Sequence, residues 1–152
     1  MKYLLFLILI MPLRLLAQKK TGYGFAGIGL HLINKGVEPA GRFAIGILPT
    51  KNAGIGADLQ YIKDFGFDAL ADFRFFSDPI KASTLTLSIK AGGTFNRING
   101  TPVNGFTYGA EGGLIFGKVY FSLQYLSIGQ NFTNANFNQR VNDAGFSLGV
   151  KF

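Results

Sequence analysis

The chain has 152 residues, with no cysteine, no tryptophan, one histidine, 21 glycines and a formal net charge of +7. A chain without cysteine has no disulfide framework, thiolate metal site or cysteine nucleophile, and a single histidine excludes a multi-histidine metal site. The composition therefore predicts no resident metal and no cofactor, and the length indicates one domain.

Residues 1–17 are predicted to be a secretory signal peptide that lies outside the fold. Lys2 supplies a positive start, an apolar run follows from Tyr3 to Met11, and cleavage is expected after Ala17. This succession of a charge, an apolar run and a small residue is typical of a cleaved signal. An N-terminal membrane anchor is the alternative, but the run is short for a span of roughly 20 residues. The mature chain, 18–152, is expected to form one domain.

Eight segments of the mature chain alternate apolar and polar residues with a period of two. This is the pattern of β-strands that have one apolar face and one polar face. In chain order the segments are 21–32, 41–48, 53–62, 67–76, 84–95, 106–116, 119–126 and 144–152. The fifth segment shows the pattern most clearly, with Leu85, Leu87 and Ile89 alternating with Thr86, Ser88 and Lys90.

The connections between these segments are rich in glycine, proline, asparagine and aspartate, which favour turns. Gly117-Lys118 is predicted to be a two-residue hairpin turn, whereas 96–105 and 127–142 are predicted to be long polar loops. Short and long connections roughly alternate, as they do in membrane barrels with short periplasmic turns and longer external loops. The two long loops would then face the outside of the cell.

One face of the strands collects all of their ionised residues, and the other face has none. The charges are predicted to form a paired cluster inside a barrel, made of Arg42, Asp58, Asp68, Asp72, Arg74, Lys90, Glu111 and Lys151. Within it, Lys90 is expected to pair with Glu111 on the adjoining strand. Many glycines share this face, which indicates a cramped interior rather than a surface exposed to water.

The apolar face carries phenylalanine and tyrosine near the strand ends, as the aromatic girdles of membrane barrels do. No apolar run after the predicted signal peptide, 1–17, is long enough for a transmembrane helix. The other structure that can span a bilayer is a closed β-barrel. The chain is therefore predicted to be all-β: an eight-stranded antiparallel up-and-down transmembrane β-barrel, with a polar lumen filled by side chains.

The mature chain resembles the small eight-stranded outer-membrane β-barrel proteins of Gram-negative bacteria, the OmpX/OmpA-like group. The resemblance rests on the signal peptide, the eight alternating segments, and a terminal Phe152 preceded by alternate apolar residues. It implies a monomer in the cell outer membrane after secretion to the periplasm. The implied partners are outer-membrane lipid, lipopolysaccharide and the barrel-assembly machinery. By the same resemblance, the signal for assembly is carried by Phe146, Leu148, Val150 and Phe152.

Three functions are compatible with these patterns. The first is a non-enzymatic outer-membrane barrel with a structural or surface-interaction role through its external loops. The second is an outer-membrane lipid-modifying enzyme that uses His31, and the third is a soluble secreted lipocalin-like binder of an apolar ligand. The first is favoured, since no serine stands beside His31, which is expected at the external rim, and the acids on that side, including Asp143, are expected in external loops. The basic residues are dispersed, which argues against a nucleic-acid partner. No catalytic residue is predicted.

Overall fold

Eight antiparallel strands close into a barrel. The computed structural model describes residues 22–33, 36–78, 83–98, 101–132 and 137–152. The strands are β1 Gly22–Ile33, β2 Gly36–Ile47, β3 Ala53–Ile62, β4 Gly66–Phe76, β5 Ser83–Ile98, β6 Thr101–Phe116, β7 Val119–Phe132 and β8 Phe137–Lys151. Strand order around the barrel follows chain order, and β8 pairs with β1. The predicted fold class is confirmed, while the predicted signal peptide, 1–17, lies outside the described residues.

The last four strands are longer than the sequence predicts. Most of 96–105 belongs to β5 and β6, and most of 127–142 belongs to β7 and β8. The prediction of long loops in these two segments is therefore wrong. Their Asn, Gln and Gly residues break the apolar alternation, yet the backbone ladder continues through pairs such as Gln130 with Gln139. Because the register is already set by the paired residues nearer the middle of the barrel, backbone hydrogen bonds can extend the strands without apolar side chains.

The two ends of the barrel differ in height. We call the end that holds Gly22 and Phe152 the proximal end, and the opposite end the distal end. At the distal end β8 pairs with β1 only as far as Asp143, so 137–142 pair with β7 alone among the described residues. At roughly 3.4 Å per residue, this part of the β7–β8 hairpin adds about 20 Å of strand. We call residues 127–132 and 137–142, together with 96–98 and 101–103 of the β5–β6 hairpin, the distal extension.

A belt of apolar side chains covers the outside of the barrel. On β5, Leu85, Leu87 and Ile89 are 63%, 56% and 59% exposed, whereas the alternate residues Ser88 and Lys90 are buried. The other strands repeat this arrangement. This is the inverse of a water-soluble barrel, and it is the arrangement that lipid requires. The exposed Arg140 of β8 reaches the distal edge of the belt, where its guanidinium lies 4.9 Å from the Tyr108 ring centroid. The described residues include no helix with the length and apolar character needed to cross a bilayer.

Candidate functional site in the barrel lumen

The lumen is filled by side chains arranged in layers from the proximal to the distal end. The inward residues of β7 show the order, since Tyr120, Ser122, Gln124, Leu126 and Ile128 follow one another along the strand. An aromatic layer comes first, then a layer of charges, then a layer of uncharged polar groups, and finally an apolar layer. The predicted polar lumen is thus polar in its middle and apolar at both ends.

The charged layer is one network of buried ion pairs, which we call the charge network: Arg42, Asp58, Asp72, Arg74, Lys90 and Glu111. Arg42 Nη2 lies 2.6 Å from Asp58 Oδ2 and 2.6 Å from Glu111 Oε2. Lys90 Nζ lies 2.6 Å from the same Asp58 oxygen. Arg74 Nε lies 2.9 Å from Asp72 Oδ2. The cations and carboxylates of this network balance in number, so it carries no formal net charge.

Glu111 joins the parts of this network. Its Oε1 accepts a hydrogen bond from Arg74 Nη1 at 2.8 Å, and its Oε2 contacts both Arg42 and Lys90. One carboxylate therefore contacts cations from three strands, β2, β4 and β5. The Lys90 to Glu111 pair is the one that the strand order predicted. A buried charge is tolerated when it is paired and hydrogen-bonded, and Glu111 meets this condition through both oxygens.

Hydroxyl groups complete the network. Tyr23 donates to Asp72 Oδ2 at 3.0 Å, and Arg42 Nη1 donates to Ser122 at 3.2 Å. Arg74 Nη1 donates to Tyr120 Oη at 2.7 Å, and the Tyr120 hydroxyl also contacts Glu111. Sequence analysis missed these partners, although each lies on the same inward parity as the charges. That parity was the signal that would have found them.

The proximal aromatic cluster closes the lumen beneath the charges. It contains Tyr23, Phe25, Ala44, Phe76, Ile115 and Tyr120. Phe25 and Tyr120 stack with ring centroids 4.3 Å apart, and the Arg74 guanidinium lies 5.0 Å from the Phe25 centroid. A cation over an aromatic face is attracted by the ring quadrupole. The same rings therefore seal the lumen and hold Arg74.

Glycines on the inward face make room for the Tyr23 ring. A Cβ atom placed on Gly46 would lie 2.5 Å from Tyr23 Cζ, and one placed on Gly54 would lie 2.5 Å from Tyr23 Cε1. A Cβ on Gly56 would meet the Ile45 carbonyl at 2.2 Å. These positions explain in physical terms why the inward face is rich in glycine. Any larger residue there would displace the ring or push the strands apart.

Two of the residues predicted for the cluster lie apart from it. Asp68 lies closer to the distal end, where Thr94 donates to its Oδ1 at 2.5 Å. Lys151 lies at the proximal end of β8, half-buried and in register with Phe25. The period of two correctly placed both residues on the inward side of their strands. The period of two gives no information about position along the barrel axis. Asp68 and Lys151 are separated from the charge network by their position along that axis.

His31 lies inside the barrel rather than at its rim. It is 1% exposed, and its Nδ1 lies 2.6 Å from Asp143 Oδ2. The sequence placed Asp143 in an external loop, but β8 begins at Phe137, so Asp143 is an inward strand residue. Both expectations were wrong for the same reason, because the distal extension moves the rim outward. Gly145 leaves space for the imidazole, since a Cβ there would lie 2.8 Å from His31 Cε1.

Gln124 connects His31 to the charge network and fixes the proton on its ring. Lys90 Nζ, which can only donate, lies 3.1 Å from Gln124 Oε1. The Gln124 amide nitrogen donates to Gln60 Oε1 at 2.7 Å and lies 3.4 Å from His31 Nε2. Because an amide nitrogen cannot accept, His31 Nε2 must be the acceptor. The neutral ring therefore carries its proton on Nδ1 and donates it to Asp143.

This arrangement lacks the nucleophile that a catalytic histidine would activate. A hydroxyl or thiol nucleophile has to lie within hydrogen-bond reach of the base. Among the described residues, the group facing His31 Nε2 is the amide of Gln124. The described residues also contain no group of three or more histidine, aspartate or glutamate side chains able to hold a metal ion.

An apolar cluster closes the distal side of the lumen. Its members are Ile33, Ala40, Ile62, Phe65, Leu70, Leu126, Ile128 and Val141. Phe65 comes from the turn between β3 and β4, and it is buried although it lies outside the strands. The charge network thus lies between two apolar clusters, and the buried Asp143 lies at the height of the distal cluster, in register with Ile33 and Leu126.

The residues assigned to the assembly signal lie on the outward face of β8 and at Phe152, which directly follows it. Phe146, Leu148, Val150 and Phe152 are all exposed on the apolar belt. The Phe152 ring stacks on Phe43 with centroids 5.8 Å apart. These side chains are accessible from the lipid side, where another protein can contact them.

Two solved structures are similar to this chain in fold. No protein-family model and no curated protein matches the sequence. The solved structure of Neisserial surface protein A (NspA) matches with a TM-score of 0.56 and 13% identity, over 86% of this chain and 94% of that chain. The N-terminal β-barrel domain of Pseudomonas aeruginosa OprF matches with a TM-score of 0.51 and 12% identity, over 87% of this chain and 98% of that chain.

These two structures share the closed eight-stranded barrel of this chain. The predicted resemblance to small eight-stranded outer-membrane barrels is therefore confirmed at the level of the fold. At identities this low, the likeness carries no information about activity.

Replacement of Lys90 by methionine should lower the free energy of unfolding by about 3–5 kcal/mol, since it removes one of the cations shared by Asp58 and Glu111 and leaves an uncompensated negative charge in the buried network. Reversible urea unfolding in lipid vesicles measures this change. Lys63→Met is the matched control, because Lys63 and Asp64 form an exposed pair at 4.0 Å. Such a pair contributes less than about 1 kcal/mol. Equal effects of the two substitutions would contradict the account of the network.

The His31 proton can be located directly, because the chain has a single histidine. In alkaline solution, nitrogen NMR of imidazole-labelled protein should show the Nδ1–H tautomer. Asp143→Leu should weaken that preference, because it removes the carboxylate that accepts the Nδ1 proton. A wild-type spectrum of the Nε2–H tautomer would contradict the proposed hydrogen-bond direction.

Proposed function

We propose that this protein is a non-enzymatic barrel of the outer membrane that conducts no solute and holds the distal extension outside the cell. The observation that carries the proposal is the closed lumen, with its balanced charge network lying between two apolar clusters. An ion entering such a lumen would have to displace paired charges and cross the apolar layers without water, which is costly. The barrel wall then serves as an anchor rather than as a channel.

The outer-membrane location is supported by the apolar belt and by the fold shared with two outer-membrane-type barrels. We place the distal extension outside the cell and the proximal end in the periplasm, since the longer connecting segments of outer-membrane barrels lie outside. The proposed partners of the belt are outer-membrane lipid and lipopolysaccharide. The barrel-assembly machinery is the proposed partner of Phe146, Leu148, Val150 and Phe152, and the mature protein is proposed to be a monomer.

The distal extension supports a surface-interaction role. Residues 137–142 of β8 pair with β7 on one side, and no described strand pairs with their other side. A strand edge of this kind offers backbone donors and acceptors to an added strand. Strands rather than loops are therefore the proposed interaction surface.

The other two functions that the sequence left open have less support. A lipid-modifying enzyme needs His31 to reach a lipid substrate, but the side chain faces the interior and Gln124 covers its Nε2. A lipocalin-like protein needs an apolar cavity inside and a polar surface outside, whereas this barrel has charges inside and an apolar belt outside.

Cell fractionation and gel migration test the proposal. The protein should be recovered with the outer membrane, require detergent for extraction, and migrate differently before and after boiling, since a closed barrel resists unheated detergent. In planar bilayers the purified barrel should give no steady conductance. Recovery as a detergent-free soluble protein would overturn the membrane location, and reproducible ion channels would overturn the closed lumen.

A further inference from the structure

A notch opens on the outside of the barrel near its distal end. The β3–β4 turn ends lower than the neighbouring β5–β6 hairpin, and this step leaves a cavity of about 630 Å³. Its lining includes Tyr61, Asp64, Phe67, Phe95 and Asn104. A volume between about 300 and 1,000 Å³ is typical of small-molecule sites. Neither the anchor role nor the charge network accounts for this feature.

Three aromatic rings form the floor of the notch. Tyr61 is the ladder partner of Phe67, and Phe67 is the ladder partner of Phe95, so the rings stand side by side on β3, β4 and β5. They are 58%, 39% and 53% exposed. Gly93 lets the Phe95 ring lie against the wall, since a Cβ there would be 3.1 Å from Phe95 Cζ. The floor therefore presents three exposed aromatic side chains on neighbouring strands.

Hydrogen-bonding groups stand beside this floor. Asn104 on β6 is the ladder partner of Phe95, so it continues the line of paired residues across the strands. Its side-chain amide is exposed. On the opposite side is Asp64, whose carboxylate is 73% exposed and whose φ is +57°. The positive φ holds Asp64 at the corner of the turn, above Tyr61 and Phe67. The lining combines ring faces with acceptors and donors of hydrogen bonds.

This combination fits a sugar ring. The C–H groups on one face of a pyranose pack on aromatic rings, while its hydroxyl groups bond to a carboxylate and an amide. Phosphate would require arginine or lysine, and the described lining residues include no cation. Lys63, next to Asp64, is 4.0 Å from that carboxylate and does not line the notch. The chemistry therefore favours an uncharged saccharide.

The position of the notch indicates where the sugar comes from. Its floor continues without a break into the apolar belt, so a ligand in the notch also contacts lipid. The Phe95 ring covers Gly93, and below it the outward residues are small, with Ala69 on β4 and Ala71 opposite Ala91. Small side chains leave a shallow groove in which an acyl chain can lie. A sugar joined to acyl chains satisfies both parts of the surface.

We propose that this notch binds the saccharide headgroup of a glycolipid in the outer leaflet. The proposal rests on the proposed membrane orientation only for the choice of leaflet. Its test uses purified protein in nanodiscs, so its result is independent of cell fractionation and conductance. The binding contacts are ring stacking on Tyr61, Phe67 and Phe95 and hydrogen bonds to Asp64 and Asn104.

Titration in phosphatidylcholine nanodiscs tests the proposal, with the Asn104 side-chain amide followed by NMR. The probes are monoglucosyl diacylglycerol, phosphatidylglycerol and free glucose, which separate the sugar, the anionic headgroup and the acyl chains. Monoglucosyl diacylglycerol should produce saturable shifts, while the other two should produce none at matched concentration. Phe95→Leu should raise the half-saturating mole fraction at least fivefold, because leucine keeps the belt apolar but removes the ring.

Asp64→Gly should weaken binding by a similar factor, since glycine accepts a positive φ without strain but offers no carboxylate. Tyr125→Leu is the matched control, since it removes an outward aromatic residue from β7, away from the notch. Its half-saturation should stay within twofold of wild type. Saturation by phosphatidylglycerol, saturation by free glucose, no shift with the glycolipid, or equal losses in Tyr125→Leu would each overturn the proposal.

Discussion

The buried contact of Glu111 with Arg42, Arg74 and Lys90 is the interaction on which the rest of the structure depends. These side chains come from four strands, β2, β4, β5 and β6, and they meet at one height in the lumen. A slip in register would turn side chains to the other face or change their height. Unpaired charges would then be buried or placed in lipid. The network therefore specifies the register of the barrel as well as filling it.

The surrounding layers follow from this buried charge. The proximal aromatic cluster and the distal apolar cluster keep water from the ions, and a lower local dielectric strengthens each hydrogen bond within the network. Tyrosine and serine hydroxyls supply further partners, and inward glycines provide the space that the large side chains occupy. On the outside, the apolar belt faces lipid, so the polar groups of the wall are concentrated in the interior.

The uncharged polar layer joins this network to the distal end. Gln124 contacts Lys90, Gln60 and His31 together, and His31 in turn contacts Asp143. A change in the position of the His31 ring would therefore alter the hydrogen bond between Gln124 and Lys90. This connection gives the lone histidine a structural place in the lumen.

The faces of the strands could be predicted from the sequence, but heights along the barrel could not. Alternation around Leu87 and Lys90 was sufficient to separate lipid from lumen, because the side-chain period of a strand is two. The same alternation could not show that Asp68 and Lys151 lie away from the network, since parity contains no axial coordinate. The height of each residue depends on the register between paired strands, which is seen only in the three-dimensional structure.

The ends of the strands were the other part that sequence reasoning missed. Polar residues such as Gln130 and Gln139 pair through their backbones, so the alternation that marks a strand in contact with lipid is absent in the distal extension. That omission also misplaced His31 and Asp143, since both were assigned to a rim that lies farther out. The notch escaped notice because Tyr61, Phe67 and Phe95 are far apart in sequence and become neighbours only through the β3–β4–β5 pairing.

A double-mutant cycle on Arg74 and Glu111 tests the central role of the charge network most directly. The free energies of unfolding in lipid vesicles would be measured for Arg74→Met, Glu111→Gln and the double variant. If the charge network acts as one unit, the double variant loses less stability than the sum of the single variants, with a coupling energy of about 1–3 kcal/mol. Additive losses within about 0.5 kcal/mol, the range found for independent sites, would contradict it.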